Sequence, residues 1–405
     1  MKRIVIMCLM LILTAPALFS QKALKPVRAS IKAKNGAQAM SQINNLEKDS
    51  VIKYVPELYD LGRQAQILLN NALNEKAYLK QKFDTASLFN TTYQIYTYTL
   101  RCEEAEQRML ALEGKKMKYH KQGGQTLRQY YPNICAGSRY FFSKKQYAEA
   151  MKYLRYALDI PNQAIWGTTQ TQNNQREGIQ AAALYIRAAY LNNNFDEAER
   201  YAAVALADTA ERSHRTSMEY LALSAGARGD SIRYRALLLE GLERYPQHEL
   251  FFTHLVDDYA AHRNYTAIQT MADRRLQTDS TDIVALDAKT LALIYTNRFD
   301  EAVNTADKSI CADSTDVDAY YYAGLAYSSL ADTIVLPTNM RSNAYKKASD
   351  ERNHWMKCAI PYLERYRQLA PKDVKRWGPL LYRAYFALND GAKFAEIEAL
   401  LAKEE

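Results

Sequence analysis

The feature that most constrains the fold is a short motif that recurs at a nearly constant step. An aromatic residue is followed three positions later by a small or apolar one at Phe195–Ala198, Tyr265–Ile268 and Phe299–Ala302. A degenerate copy has Tyr234 at the corresponding position. The motif positions 198, 234, 268 and 302 are therefore separated by 36, 34 and 34 residues. A regular step of this size indicates repeated supersecondary units that bury their apolar faces by stacking on one another.

The residue types within one step indicate two helices joined by a turn. Ala302, Ala306 and Ile310 lie on one face of a predicted helix, and the polar turn 313–316 separates it from Tyr320-x-x-Ala-Gly-x-x-Tyr327. This pattern resembles the tetratricopeptide repeat. The resemblance covers about residues 64–405 and implies an all-α fold, a helix-turn-helix solenoid in which helical hairpins form a right-handed superhelix. Small side chains such as Gly324 would let paired helices approach closely.

Composition shifts divide the chain into five predicted segments. The N-terminus has a basic start at Lys2 and Arg3 and an apolar run of ten residues, which is typical of a secretory signal peptide and too short to span a membrane. The segments are a signal peptide at 1–20, a polar and partly disordered leader at 21–50, irregular repeat-like helices at 51–161, a polar loop or hinge at 162–178, and a repeat array at 179–405 with an insertion at 333–357.

Charge and motifs favour binding over catalysis. The formal net charge of +8 is a mild excess for 405 residues, and an exported protein rarely meets nucleic acid, so we predict a protein or peptide partner in the periplasm or cell envelope. No P-loop, HExxH, GxSxG or GxGxxG motif is present, and we predict no cofactor and no enzymatic activity. His254, Asp258 and His262 share a helix face in the manner of a zinc site, but the stretch is better interpreted as an ordinary repeat helix, so no metal is predicted.

The repeat resemblance implies a concave groove lined by the first helix of each unit. Tyrosine, with 31 copies, and arginine are frequent anchors at interfaces. Counting in the repeat frame predicts the following groove residues: Arg139, Phe142, Arg187, Tyr190, Glu219, Asp257, Asp287, Tyr295, Tyr321, Tyr382 and Tyr385. The Lys/Asn set that captures terminal carboxylates in some members of the family is absent.

Three other functions stay open. Exposed tyrosines or tryptophans, such as Trp355 or Trp377, could stack on sugar rings in a glycan-binding protein of the outer membrane. A metal-dependent enzyme would use the three residues of the His254 motif. A structural assembly subunit would expose a large apolar patch.

Two covalent modifications are also predicted. Cys102 and Cys135 lie nearly symmetrically about Tyr119, where a helical hairpin would turn, so a disulfide between them is possible. Asp followed by Ser or Thr and a further small or apolar residue resembles the O-glycosylation signal of exported Bacteroidetes proteins, although the same pair also caps helices. The seven hydroxyl positions are Ser50, Thr85, Thr209, Ser231, Ser280, Ser314 and Thr333.

Overall fold

The computed structural model describes residues 21–50, 52–167 and 172–403, with the side chains of 172–174 left aside. The predicted signal peptide at 1–20 lies outside the described residues. Within them the regular structure is helical, with no β-strand, which confirms the all-α fold class. The chain forms two compact units that divide between Asp230 and Ser231.

The first unit consists of helices joined mostly by short turns. Four short 3-10 helices accompany the α-helices, at Ile52–Tyr54, Ile160–Asn162, Ala164–Trp166 and Glu199–Tyr201. The α-helices are α1 at 21–32, α2 at Gly36–Leu46, α3 at Pro56–Tyr78, α4 at Thr85–Glu113, α5 at His120–Ser143, α6 at Tyr147–Asp159, α7 at Gln172–Leu191, α8 at Phe195–Ala198, α9 at Ala202–Ala205 and α10 at Glu211–Ala227.

The second unit continues the same pattern with more regular helix lengths. Its helices are α11 at Ser231–Arg244, α12 at Glu249–Ala261, α13 at Tyr265–Thr278, α14 at Ile283–Tyr295, α15 at Phe299–Ala312, α16 at Val317–Thr333, α17 at Asn343–Leu369, α18 at Val374–Ala387 and α19 at Gly391–Leu401. None of the described helices is both long enough and apolar enough to cross a bilayer.

The turns within the hairpins share one backbone device. A residue with positive φ follows the first helix and ends it, because the left-handed conformation reverses the chain and lets the next amides bond to the last carbonyls. After α5, for example, Gln146 N donates to Phe141 O at 2.9 Å. The non-glycine residues that adopt this conformation are Lys34, Lys80, Lys145, Asn193, Arg263, Asn297 and Asn389.

Close helix packing depends on a small residue, as the repeat pattern predicts. A Cβ added at Gly324 of α16 would lie 2.5 Å from Leu363 Cδ2 of α17, well inside van der Waals contact. Leu363 is fully buried. The predicted insertion at 333–357 begins with an irregular stretch after Thr333, and its helical part is continuous with the second helix of the repeat, so that α17 runs to Leu369.

Residues 21–46, which the sequence predicts to be part of a partly disordered leader, form two helices in the structure, so this prediction is wrong. Both α1 and α2 are amphipathic, and Leu24, Val27, Ala39 and Ile43 join a buried cluster with Leu58 of α3. Burial of each such aliphatic side chain larger than alanine contributes about 1.5–3 kcal/mol, which is enough to order short helices against a neighbour.

The predicted polar loop at 162–178 is shorter than expected. Ile165 and Trp166 are buried although their neighbours are polar, and α7 already begins at Gln172. The tryptophan packs edge-to-face on Tyr131 with ring centroids 5.3 Å apart. The two apolar residues therefore tie this connection to α5 through a local anchor that the overall polarity of the stretch conceals.

The predicted disulfide between Cys102 and Cys135 is absent, and both thiols are free and buried. Cys102 belongs to the N-terminal cluster, where its Sγ donates to Pro56 O at 3.3 Å. Cys135 lies in α5, and burial, with a smaller contribution from the charge of Glu177, raises its pKa to about 12. Each thiol packs among different partners, which symmetry about a turn in the sequence could not reveal.

Candidate functional site

The best-defined cluster of predicted groove residues lies on α5, α7 and α10 of the first unit. The guanidinium carbon of Arg187 lies over the ring of Phe142 at 5.2 Å and over the ring of Tyr220 at 5.6 Å. Tyr190 packs on Tyr220 with centroids 5.4 Å apart and on Phe195 at 5.7 Å. We call Phe142, Arg187, Tyr190 and Tyr220 the arginine face. Three of these four were predicted from the sequence.

The donors of Arg187 lack a polar partner within the described residues. Its Nε is buried and makes no hydrogen bond, and no described carboxylate forms an ion pair with its guanidinium. A buried donor without an acceptor costs about 1–3 kcal/mol, so such groups are uncommon in folded proteins and mark places where a ligand can supply the acceptor. The aromatic rings hold the guanidinium in place through cation–π contacts.

A cavity of about 500 Å³ adjoins the arginine face. Arg187 lines it together with Arg139 of α5 and Arg212 of α10, while the one acidic lining residue is Glu177. Arg139 Nη1 lies 3.1 Å from Glu177 Oε2. The remaining walls are formed by uncharged residues: Cys135, Ser138, Gln180, Ala181, Ala183, Leu184, Ala210, Ser213 and Thr216.

The local sequence explains how these side chains meet. Near the end of α7, Arg187 and Tyr190 are three residues apart and therefore lie on one helical face. The turn at Asn193, with φ of 54°, then brings Phe195 of α8 back onto Tyr190. Glu219, also predicted for the groove, lies 3.6 Å from Arg215 Nε on its own helix. The sequence analysis missed Tyr220 because it follows Glu219 directly, and the repeat frame assigned the groove position to the glutamate.

In the second unit the predicted residues do not form one site. Asp257 is exposed, and Tyr295 is 54% exposed while stacking on Tyr265 at a centroid distance of 4.6 Å and an angle of 5°. Tyr382 packs on Phe394 at 4.5 Å. Tyr385 was also predicted to line the groove, and this prediction is wrong. Its side chain is only 2% exposed and lies in a core cluster.

Tyr385 is buried because its polar tip has a partner inside the second unit. Its hydroxyl donates to Glu364 Oε1 at 2.5 Å, which satisfies the polar tip while the ring joins the core. Helical periodicity alone did not place this side chain, because Tyr382 and Tyr385 are three residues apart and differ by only about 60° around the helix axis. Its burial follows from the way α17 and α19 pack against α18.

Asp287 and Tyr321 occupy a second polar cluster, around the start of α16. Ser309 Oγ lies 3.1 Å from Asp287 Oδ1 and 2.9 Å from Asp316 Oδ2. Burial, and next the charge of Asp316, raises the pKa of Asp287 to about 8. Arg376 covers the ring of Tyr321 at 4.0 Å. Unlike Arg187, it has a carboxylate partner, because its Nη1 donates to Asp318 Oδ1 at 2.8 Å.

The three side chains of the His254 motif have other partners. His254 Nδ1 and the hydroxyl of Tyr234 are 2.7 Å apart, and Arg235 Nε donates to Asp258 Oδ2 at 2.6 Å. His262 Nδ1 lies 2.7 Å from the carbonyl oxygen of Asp258. Across the described residues, no group of three histidine, cysteine or acidic side chains is arranged to hold a metal ion.

The Asp-Ser/Thr triplets lie at helix ends and turns. Two of their aspartates show this: Asp84 caps α4 and accepts from Ala86 N at 3.0 Å, and Asp313 accepts from Thr315 N at 2.8 Å in the turn before α16. Of the seven hydroxyl residues, six are exposed and Thr85 is partly buried. The capping interpretation of the pattern is therefore visible in the hydrogen bonds, and O-glycosylation of these residues stays a prediction.

The fold and its repeat define the class of protein. Helical hairpins at steps of about 34 residues, with Gly324 packed under Leu363, are the arrangement that the resemblance to the tetratricopeptide repeat implies. The resemblance identified in the sequence is thus confirmed at the level of the fold.

No family model and no curated protein matches the sequence. Among solved structures, the chain is similar to the C-terminal part of a tetratricopeptide-repeat-containing protein from Cytophaga hutchinsonii, with 12% identity over 65% of this chain and 92% of the other, and a TM-score of 0.44. It is also similar to the tetratricopeptide domain of P58(IPK) (12% identity, coverage 92% and 98%, TM-score 0.28) and to yeast Tom70 (10%, 88% and 84%, 0.30).

Proposed function

We propose that this protein is a binding scaffold and that the arginine face of its first unit docks a segment of a protein partner. The single observation that carries the proposal is Arg187, which two aromatic rings hold in place while its Nε lacks an acceptor. Arginine and tyrosine dominate the energetics of many protein interfaces because they combine a large apolar contact area with directional donors.

The composition of the site supports binding as the role of this surface. Its chemistry consists of aromatic rings, guanidinium groups and hydroxyls. The ordinary acid–base groups of hydrolytic catalysis are poorly represented, since Glu177 is the one carboxylate in the cavity wall and it is paired with Arg139. The tetratricopeptide-type repeat is a scaffold that presents such surfaces on rigid helices.

The proposed location is the periplasm or cell envelope. The support is the N-terminal sequence, with its basic start, apolar core and small residues at Ala15, Ala17 and Ser20. The same pattern predicts that the mature chain lacks residues 1–20. N-terminal sequencing of protein purified from the source cells tests this part of the proposal, and a mature protein that begins at Met1 would contradict it.

Glycan binding gains no specific support from the tryptophans. Trp377, one of the two that could have formed a sugar platform, is 1% exposed and donates from Nε1 to Ala370 O. Trp355 is partly buried and stacks near Tyr327, with centroids 6.1 Å apart.

Site-specific crosslinking tests the proposed binding surface. A photoreactive amino acid replaces Gln180, an exposed residue of the cavity wall, in the full-length tagged protein expressed in its source cells. The matched control places the same group at Lys152, an exposed residue of α6 outside the cavity wall. We expect a discrete protein adduct from position 180 and not from position 152.

The captured partner then has to bind through the arginine face. Mass spectrometry of the adduct gives the crosslinked segment, which is synthesised and titrated into purified wild-type protein and a Tyr220→Ala variant. Tyr220 packs on Tyr190 and Arg187, so its loss should weaken binding at least tenfold. Equal adducts from both positions, or unchanged affinity in the variant, would refute the proposed surface.

A further inference from the structure

We infer that the cavity beside the arginine face takes acidic side chains of an extended peptide segment. The inference rests on the proposed function and adds the chemistry of the partner. The charged lining residues that carry the argument are Arg139, Glu177, Arg187 and Arg212.

The first step is the charge balance. Three arginines and one glutamate line the cavity, which leaves an excess of two positive charges in a confined volume of about 500 Å³. Arg139 is matched by Glu177 at 3.1 Å, so the unmatched charges belong to Arg187 and Arg212. The described residues provide no ion-pair partner for either of them. Two positive charges in a partly enclosed site attract an anionic ligand and raise its local concentration.

The second step is the state of the Arg187 donors. The guanidinium carbon lies over the rings of Phe142 and Tyr220 at 5.2 and 5.6 Å, and the guanidinium has no hydrogen-bond or ion-pair partner among the described residues, so its N–H groups remain for an acceptor. A carboxylate matches this edge because it accepts two parallel hydrogen bonds from one guanidinium. The Nε has no acceptor among the described residues, so no polar contact within this part of the protein competes with a carboxylate for this guanidinium.

The third step is the length of the site. Glu177 and Arg187 both line the cavity and are ten residues apart on α7, so the wall between them extends about 15 Å at 1.5 Å per residue. An extended peptide covers this distance with roughly five residues at about 3.3 Å each. Ala181 and Leu184 form the apolar middle of the wall. The cavity therefore suits a short segment with acidic side chains around a small apolar residue, and it exceeds the size of a single terminal carboxylate or a phosphate.

A peptide selection tests the inference directly. Purified full-length protein is incubated with a randomised library of ten-residue peptides whose C-termini are amidated, and the retained peptides are sequenced. We expect enrichment of aspartate and glutamate. The strongest binder is then compared with its twin in which every acidic residue is replaced by the corresponding amide, by fluorescence anisotropy at low and at physiological salt.

Variants assign the effect to the cavity. Arg187→Gln should weaken binding of the acidic peptide at least tenfold, and Arg212→Gln, at an exposed position, severalfold. Lys152→Gln removes one positive charge from the same unit outside the cavity and should change the affinity less than twofold. Glu177→Gln should strengthen binding, because it removes the negative charge from the wall. Circular dichroism of each variant checks that the helices are intact.

The outcomes separate the inference from the proposed function. If the retained peptides show no preference for acidic residues, the inference is overturned, but the proposal that the arginine face binds a peptide is not. Failure to retain any peptide, together with failure of the crosslinking at position 180, would overturn both. Tighter binding of free-acid peptides than of amides, with no preference for internal acids, would assign the cavity to a terminal carboxylate. Competition by millimolar inorganic phosphate alone would assign it to a phosphate group. Both results would contradict the inference.

Discussion

The substitution Asp287→Asn should make the second unit less sensitive to alkaline pH. Asp287 on α14 lies beside Asp316, the residue that caps α16, and Ser309 Oγ lies within hydrogen-bond distance of both carboxylates. Burial and then the Asp316 charge raise the pKa of Asp287 from 3.8 to about 8. The two carboxyl groups are stable together when Asp287 carries a proton, and they repel each other when both are ionised.

The direction of the pH dependence follows from proton linkage. Between about pH 4 and pH 8, Asp287 holds a proton in the folded protein and releases it on unfolding, so the free energy of unfolding falls as pH rises through this window. A shift of about four pKa units at 1.4 kcal/mol each sets a ceiling of about 5–6 kcal/mol. The side chain is partly exposed, and water around it lowers this value, so we expect about 1–3 kcal/mol.

Asparagine keeps the shape of the side chain and can donate to Asp316, but it carries no charge. We therefore expect Asp287→Asn to match the wild type within about 1 kcal/mol at pH 5 and to exceed it by about 1–3 kcal/mol at pH 8.5. Hydrogen exchange of α14 and α16 amides measures this local stability, after correction for the pH dependence of intrinsic exchange. It avoids the assumption that a chain with two units unfolds in one step.

Asp300→Asn is the matched control, because Asp300 is an exposed acid on the neighbouring helix α15. It should change the exchange-derived stability by less than about 0.5 kcal/mol at either pH. The reasoning is refuted if Asp287→Asn shifts the stability equally at pH 5 and pH 8.5, or if it lowers the stability more at the higher pH.

Two further predictions concern packing and thiols. Gly324→Ala should lower the free energy of unfolding by about 1–3 kcal/mol in urea titrations, because its Cβ would meet the buried Leu363 at 2.5 Å; an unchanged midpoint would show that this helix pair can separate at no cost. Cys102 and Cys135 should react with a thiol reagent only after denaturation, since burial raises the pKa of both and the thiolate is the reactive form. Exposed Cys311 should react at once in native protein, and non-reducing mass spectrometry that found a bridge between Cys102 and Cys135 would contradict the structure.

Local pattern was sufficient to predict the class of fold. The aromatic-x-x-small motif, the step of 34 residues and the polar turns each depend on contacts within one hairpin or with the next, and such contacts are fixed by short stretches of sequence. Gly324 illustrates this, because its smallness is needed where α16 meets α17. The repeat frame also listed Phe142, Arg187 and Tyr190 among the groove residues, and the structure places these three side chains in one cluster, whose role in binding stays a prediction.

Other properties depend on contacts between residues far apart in the chain. Leu24 and Ile43 belong to a stretch that the sequence predicts to be a polar leader, but in the structure they pack against the apolar surface of α3. Tyr385 was predicted to line the groove, but in the structure it is buried and its hydroxyl donates to Glu364. Arg187 became a candidate anchor because no carboxylate of the described fold reaches it, which is a property of three helices together. Sequence periodicity by itself determined that helical hairpins repeat along the chain, while only the tertiary structure decided which polar groups find partners, because burial and hydrogen bonding depend on every element packed around a side chain.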